Sequence, residues 1–265
     1  MNLVPALYSW SLMAGVIAFG AFLLIHRVMK PVDLDQHQGF LDAMLSIVGT
    51  LVSILLGLLV AASLDHYRTL EQNVDAEAAT VVNVFRLSGG LPQQFGEEVR
   101  QLCIQYCDQV IHDEWPAMAK GDQSNKLLLT SATLARTVVT FSPTTNGETN
   151  IHSALLSSLE QLSSCRRQRL LATHDPWKKQ LLPVLIMCTI IVLTFAFLYG
   201  RKGAILHGAV ICLVAIALGA NLALMELLNN PFSGDWSIQP NAFEYNVELL
   251  QRFRSTPELR KFAQP

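Results

Sequence analysis

Four stretches of this chain are almost free of charge, and the rest spaces its apolar residues as helices do. The first stretch runs from about Tyr8 to Ile25. The second, Ala43 to Leu64, has 22 uncharged residues bracketed by Asp42 and Asp65. The third runs from about Leu181 to Gly200 and stops at Arg201-Lys202. The fourth runs from Gly203 to Met225 and stops at Glu226. A hydrocarbon core of about 30 Å takes about 20 helical residues at 1.5 Å each, and each stretch comes near that length. The pattern predicts four transmembrane helices. No basic residue precedes the first apolar run, and Arg27 and Lys30 follow it, unlike a cleaved secretory signal.

Between spans two and three the pattern changes. Residues 65–180 carry 11 Lys and Arg against 13 Asp and Glu, so this segment belongs in water. Its periodicity is helical. Asp65 to Leu87 prolongs the second span and ends at Ser88-Gly89-Gly90. Pro92 opens a helix to about Trp115. Asp122 or Ser124 caps another over Asn125 to Phe141. Residues 142–147 read as a loop, and a last helix runs from about Asn150 to Thr173. The predicted fold is all-α: transmembrane helices in 1–64 and 181–228, an extramembrane helical bundle in 65–180, and a polar tail over 229–265 packing on the bundle.

Composition sharpens this reading only in part. Charged residues make up 15% of the chain, against about 25% in soluble domains. The five cysteines form no secreted framework and fit reduced thiols. Neither a basic block for nucleic acid nor an acidic tail is present. Four spans put both termini and the bundle on one side of the bilayer. The bundle side carries Arg68, Arg166, Arg167, Arg169, Lys178 and Lys179, against Arg27, Lys30, Arg201 and Lys202 in the hairpins. That bias points to a cytoplasmic bundle with cytoplasmic termini.

Span two holds a stripe of small or hydroxyl residues, Ser46, Thr50, Ser53, Gly57 and Ala61, on one helix face. Two readings stand: close helix packing, or a pore wall. Ile54 and Leu58 lie off the stripe and could form a hydrophobic constriction. Span four has a similar stripe, Gly208, Cys212, Ala215, Gly219 and Ala223, for which packing is the reading. No Asp, Glu, Lys or Arg lies inside any span, which argues against a proton-driven pump. The basic group Arg166, Arg167, Arg169, Lys178 and Lys179 reads either as an anchor on anionic headgroups or as charge at a pore mouth. His112-Asp113-Glu114 reads as a solvated helix end. A metal site shared with Cys103 and Cys107 would need convergent ligands. No enzyme motif occurs, and neither a cofactor nor a metal is expected.

Several short stretches carry a resemblance. They are Glu77-Ala78 with Arg86-Leu87, Glu114-Trp115-Pro116, Arg166 to Leu170, and Glu226 followed by Pro231-Phe232-Ser233-Gly234. In these, and in the order of its parts, the chain resembles the bacterial bestrophin-like membrane proteins and, more distantly, the bestrophin anion channels. The resemblance implies a homo-oligomer, pentameric in bestrophins, with the second span lining an anion pore. It implies structural roles for Glu77, Arg86, Trp115, Pro116, Glu226, Pro231, Phe232 and Gly234. Bestrophins follow this turn with an acidic calcium-binding run. Here Asp235 stands alone before Trp236-Ser237-Ile238-Gln239, so calcium gating is not expected. The rival reading is a non-conducting scaffold or sensor whose bundle binds a protein partner.

Overall fold

The computed structural model describes residues 4–28, 38–174, 177–198, 204–234 and 236–255. Among them the regular elements are all helical. In chain order they are α1 (Val4–Val28), α2 (Gln38–Leu87), α3 (Gln93–Gln109), α4 (Trp115–Met118), α5 (Asn125–Thr140), α6 (Asn146–Leu171), α7 (Trp177–Leu198), α8 (Ala204–Asn229) and α9 (Asn241–Ser255). The chain divides into two compact units. One holds residues 1–67, 176–230 and 234–236; the other holds 68–175, 231–233 and 237–265.

The first unit contains the apolar helices. Val52 and Leu56 of α2 pack with Leu185 and Cys188 of α7 and with Leu218 and Met225 of α8. Ala18 and Phe22 of α1 pack on Ile211 and Ala215 of α8. The same helices leave large apolar side chains outside, including Val16 and Ile17 of α1, Ile190 of α7 and Leu213 of α8. Water would not tolerate so broad an apolar surface on a monomer, whereas lipid does. Among the described residues, Asp42–Gly90 and His207–Asn229 are long and apolar enough to cross a membrane. The apolar runs Ser11–Leu24 in α1 and Leu182–Phe197 in α7 are shorter.

The second unit is a helical bundle. It takes in the C-terminal part of α2, which buries Leu70, Val74, Ala78, Val81 and Phe85 at three- and four-residue steps. These residues share a core with Val99 and Tyr106 of α3, Leu134 of α5, Leu155 of α6 and Phe243 of α9. As the sequence predicts, α2 ends where Ser88-Gly89-Gly90 tightens into a 3-10 turn. The helix predicted to stop near Trp115 continues to Met118 through a π turn, Val110–Glu114. Pro116 has no N–H for the carbonyl four residues back. The Trp115 N–H reaches back five residues to the Val110 carbonyl, and the wider turn absorbs the break.

Two boundaries differ from expectation. Helix α6 starts at Asn146, inside the predicted loop, because Thr145 and Glu148 form a capping box. The Thr145 hydroxyl accepts the Glu148 N–H at 3.1 Å, and Glu148 accepts the Thr145 N–H at 3.3 Å. The tail read as polar contains α9, whose Phe243, Asn246 and Leu250 are buried. Asn246 Nδ2 donates to the Ala78 carbonyl of α2 at 2.8 Å.

Candidate functional site

Two regions are candidates, one in each unit. The first is the stripe on α2. Ser46, Thr50, Ser53, Gly57 and Ala61 are all exposed, while Val52, Leu56 and Ser63 on the other side of the helix are buried. A Cβ added at Gly57 would meet no atom within 4 Å. Among the described residues, the stripe is thus left uncovered. The Thr50 and Ser53 hydroxyls each donate to the carbonyl four residues back, at 2.7 Å. Ile54 and Leu58 are 56% and 64% exposed. At about 100° per residue they lie on a neighbouring strip, roughly a quarter turn from the stripe's centre.

The stripe on α8 is different. Gly208, Ala215, Gly219 and Ala223 are buried. A Cβ at Gly219 would stand 2.7 Å from the Ala14 Cβ, and one at Gly208 3.0 Å from the Phe19 and Phe22 rings. This is close packing of α1 on α8, as expected from small residues.

The second region is a buried ionic cluster in the bundle. Glu77 of α2, Glu114 of the π turn and Arg169 of α6 are each fully buried. Arg169 donates to Glu77 through Nε at 2.7 Å and Nη2 at 2.8 Å, and Nη2 also reaches Glu114 at 2.8 Å. Arg166 donates to Glu114 through Nη2 at 2.6 Å and Nε at 3.3 Å. The Tyr106 hydroxyl donates to Glu77 at 2.7 Å. Two carboxylates face two guanidinium groups, so the cluster is neutral. Burial opposes the charge on Arg169, and Glu77 and then Glu114 more than offset that, holding its pKa above the ordinary value. Burial, and then Glu77, push the Tyr106 pKa well up, so the phenol stays a donor. The cluster fixes helices to one another.

Aromatic residues close one side. The Arg169 guanidinium lies 5.3 Å from the Trp115 ring centroid. Phe232 meets Trp115 edge-on at 5.7 Å. The indole Nε1 donates to the Ile238 carbonyl at 3.0 Å, and the Ile238 N–H returns the chain to the Pro231 carbonyl at 2.7 Å. Residues scattered along the sequence thus meet in one place: Glu77, Glu114, Trp115, Arg166, Arg169 and Phe232. Arg86 and Pro116 are exposed. Glu226 is exposed at the end of α8, where Asn230 donates to its carboxylate at 3.0 Å. Gly234 has φ +88°, which favours glycine.

These placements correct part of the sequence reading. Arg166 and Arg169 belong to no exposed basic face, because their carboxylate partners draw them inside. Arg167 is exposed. The side chains of Lys178 and Lys179, and Asp235, lie outside the described residues. Glu114 is not part of a solvated helix end; His112 is exposed, and Asp113 pairs with Lys126 at 2.9 Å. Burial raises the pKa of both Cys103 and Cys107 above the usual thiol range. No group of three metal-ligating side chains occurs among the described residues. Tyr106 was not singled out from the sequence; it sits one turn before Val110 on the buried side of α3, and only that periodicity marks it.

The Bestrophin-like domain profile matches residues 13–243. A variant of a bacterial bestrophin homolog from Klebsiella pneumoniae has a similar structure, with a TM-score of 0.59 and 12% identity over 96% of this chain and 99% of that one. Another structure of that homolog gives a TM-score of 0.54 and 13% identity over 100% of both chains. A structure described as a membrane protein gives 0.57 and 12%, over 98% of each. No curated protein matches the chain. Identities this low speak for the all-α fold alone. The domain profile reaches from α1 into α9, and the chain is a member of the Bestrophin-like family, an integral membrane protein.

Proposed function

We propose that the protein is an oligomeric ion channel whose α2 helices line a shared conduit, with Ser46, Thr50, Ser53, Gly57 and Ala61 facing the ions. The observation that carries this reading is the bare stripe on α2. The remaining helices of the unit cover the opposite side of α2 and leave these five residues exposed. A small, mildly polar face turned outward in a membrane suits a second copy or a water-filled axis. Copies arranged about an axis supply both.

Ile54 and Leu58 flank the stripe, where they narrow and dewet the path as the copies approach. Anions are the proposed cargo, as in the bestrophin channels that the chain resembles. The Thr50 and Ser53 hydroxyls would have to turn from their carbonyls to donate to an anion. Each such exchange costs about 1 kcal/mol, an amount that suits weak binding and fast exit. The single carboxylate after the Pro231 turn supports a channel without calcium gating. The bundle and the termini are assigned to the cytoplasm on the distribution of Lys and Arg, and the chain to a bacterial inner (plasma) membrane on its resemblance to the bacterial bestrophin-like proteins.

The test is chloride efflux from liposomes holding the purified protein, with native mass spectrometry of the same sample. A pentamer that passes chloride, with flux cut about ten-fold or more in Ser53→Leu at unchanged assembly, supports the reading. A monomer, or an intact oligomer with no flux at any voltage or pH, overturns it.

A further inference from the structure

The bundle contains a cavity of about 630 Å³, bounded by the loop after α4, the start of α5 and the end of α6. That volume falls within the roughly 300–1,000 Å³ of small-molecule sites. Its wall includes Arg166, which is only 7% exposed. Nε and Nη2 of this side chain hold Glu114, and Nη1 has no partner among the described residues. The cavity wall thus includes a buried guanidinium that has a nitrogen to spare.

Arg167 adds a second cation to the wall and has no ion pair among the described residues. Leu170 and Leu171 supply an apolar lining, and Ser163 a hydroxyl. Asp122 is the one carboxylate on the wall. Glu114 balances Arg166, and Asp122 opposes Arg167. What remains is two guanidinium groups with donors to spare and little net charge. A polyanion gains nothing there. A singly charged oxyanion with an apolar body matches both the donors and the leucines.

We infer that this cavity is a binding site for an amphipathic carboxylate, its head held by Arg166 Nη1 and Arg167 and its body laid on Leu170 and Leu171. The head shares a guanidinium with Glu114, so an occupied site bears on the same side chain that helps hold the ionic cluster. A fatty acid from the bilayer and a short soluble acid have this head in common; they differ in the length of the body.

The experiment is isothermal titration of the full-length, detergent-solubilised protein with octanoate, propionate and octylamine. It reads binding, not flux, so it stands whether or not the protein conducts. Octanoate is expected to bind saturably, and octylamine not at all. Octanoate bound about ten-fold or more above propionate identifies a lipid-derived acid, and similar affinities identify a soluble one; either supports the site. Arg167→Gln is expected to weaken binding about ten-fold, and Ser163→Trp, which fills the cavity from an exposed position, to abolish it. Binding that survives Ser163→Trp, or no saturable carboxylate binding to the wild type, overturns the inference. So does an oligomer that falls apart in Ser163→Trp, since the cavity would then be a contact between copies.

Discussion

The α2 stripe and the buried ionic cluster are opposites. Small residues of a kind that usually packs helices together stand bare on α2, while arginines of a kind that usually faces solvent are sealed inside the bundle. Composition does not decide which way a side chain turns. Its partners do. Arg169 goes inside because Glu77 and Glu114 wait there with their own lone pairs to satisfy. The stripe stays outside because no described part of the chain covers it. On α8 the same residue types are covered by α1. A pattern within one helix thus says that a face is special, and only the rest of the fold says what meets it.

The largest expected effect breaks the cluster. Arg169→Met leaves Glu77 and Glu114 buried with half their donors gone and is expected to destabilise the bundle by about 3–5 kcal/mol, measured by denaturant unfolding in detergent. Arg167→Met, two residues away on the exposed side of α6, is the control and is expected to stay within about 0.5 kcal/mol. Equal effects would mean that the cluster contributes nothing beyond its surroundings.

A smaller effect separates the two stripes. Gly219→Leu drives a side chain into Ala14 and Ser11 and is expected to cost about 1–3 kcal/mol. A Cβ at Gly57 meets no described atom within 4 Å, so in Gly57→Leu the stability of the dissociated subunit is expected to hold within about 0.5 kcal/mol. The flux through the assembled protein is what it should lower. Loss of stability in dissociated Gly57→Leu would mean that the α2 stripe packs like that of α8.

The smallest effect concerns acid. Hydrogen bonds from Thr144 and Thr145 hold the Glu148 pKa below its ordinary value. A depressed carboxylate contributes its stabilisation above its unfolded pKa and loses it as pH falls through the folded one. The first turn of α6 is therefore expected to fray as the pH drops below the ordinary carboxylate range, seen as faster amide exchange near Thr149. In Glu148→Gln that dependence on pH should vanish.

Much of the fold is legible in the sequence because its signals are local. The apolar run of span two, its continuation through Val74, Ala78 and Val81, and its stop at Ser88-Gly89-Gly90 need only neighbours along the chain. The boundary at Asn146 was also local, but the Ser-Pro-Thr-Thr-Asn-Gly composition outweighed the Thr145–Glu148 capping box. Helix α9 was hidden because its apolar side is narrow and includes Asn246. The cluster was legible only as separate short stretches. Arg169 and Glu77 are 92 positions apart, and Trp115 and Ile238 123, so nothing in either neighbourhood announces the other.

That span along the chain carries a consequence for biosynthesis. Trp115 and Arg169 leave the ribosome well before Phe232 and Ile238, which close the side of the cluster next to the indole. At roughly 5–20 residues per second the bundle waits several seconds with that side open. During this interval two hydrophobic helices, α7 and α8, are synthesised. The nascent bundle thus completes its core only after α7 and α8 have been made, so its final closure comes late in synthesis.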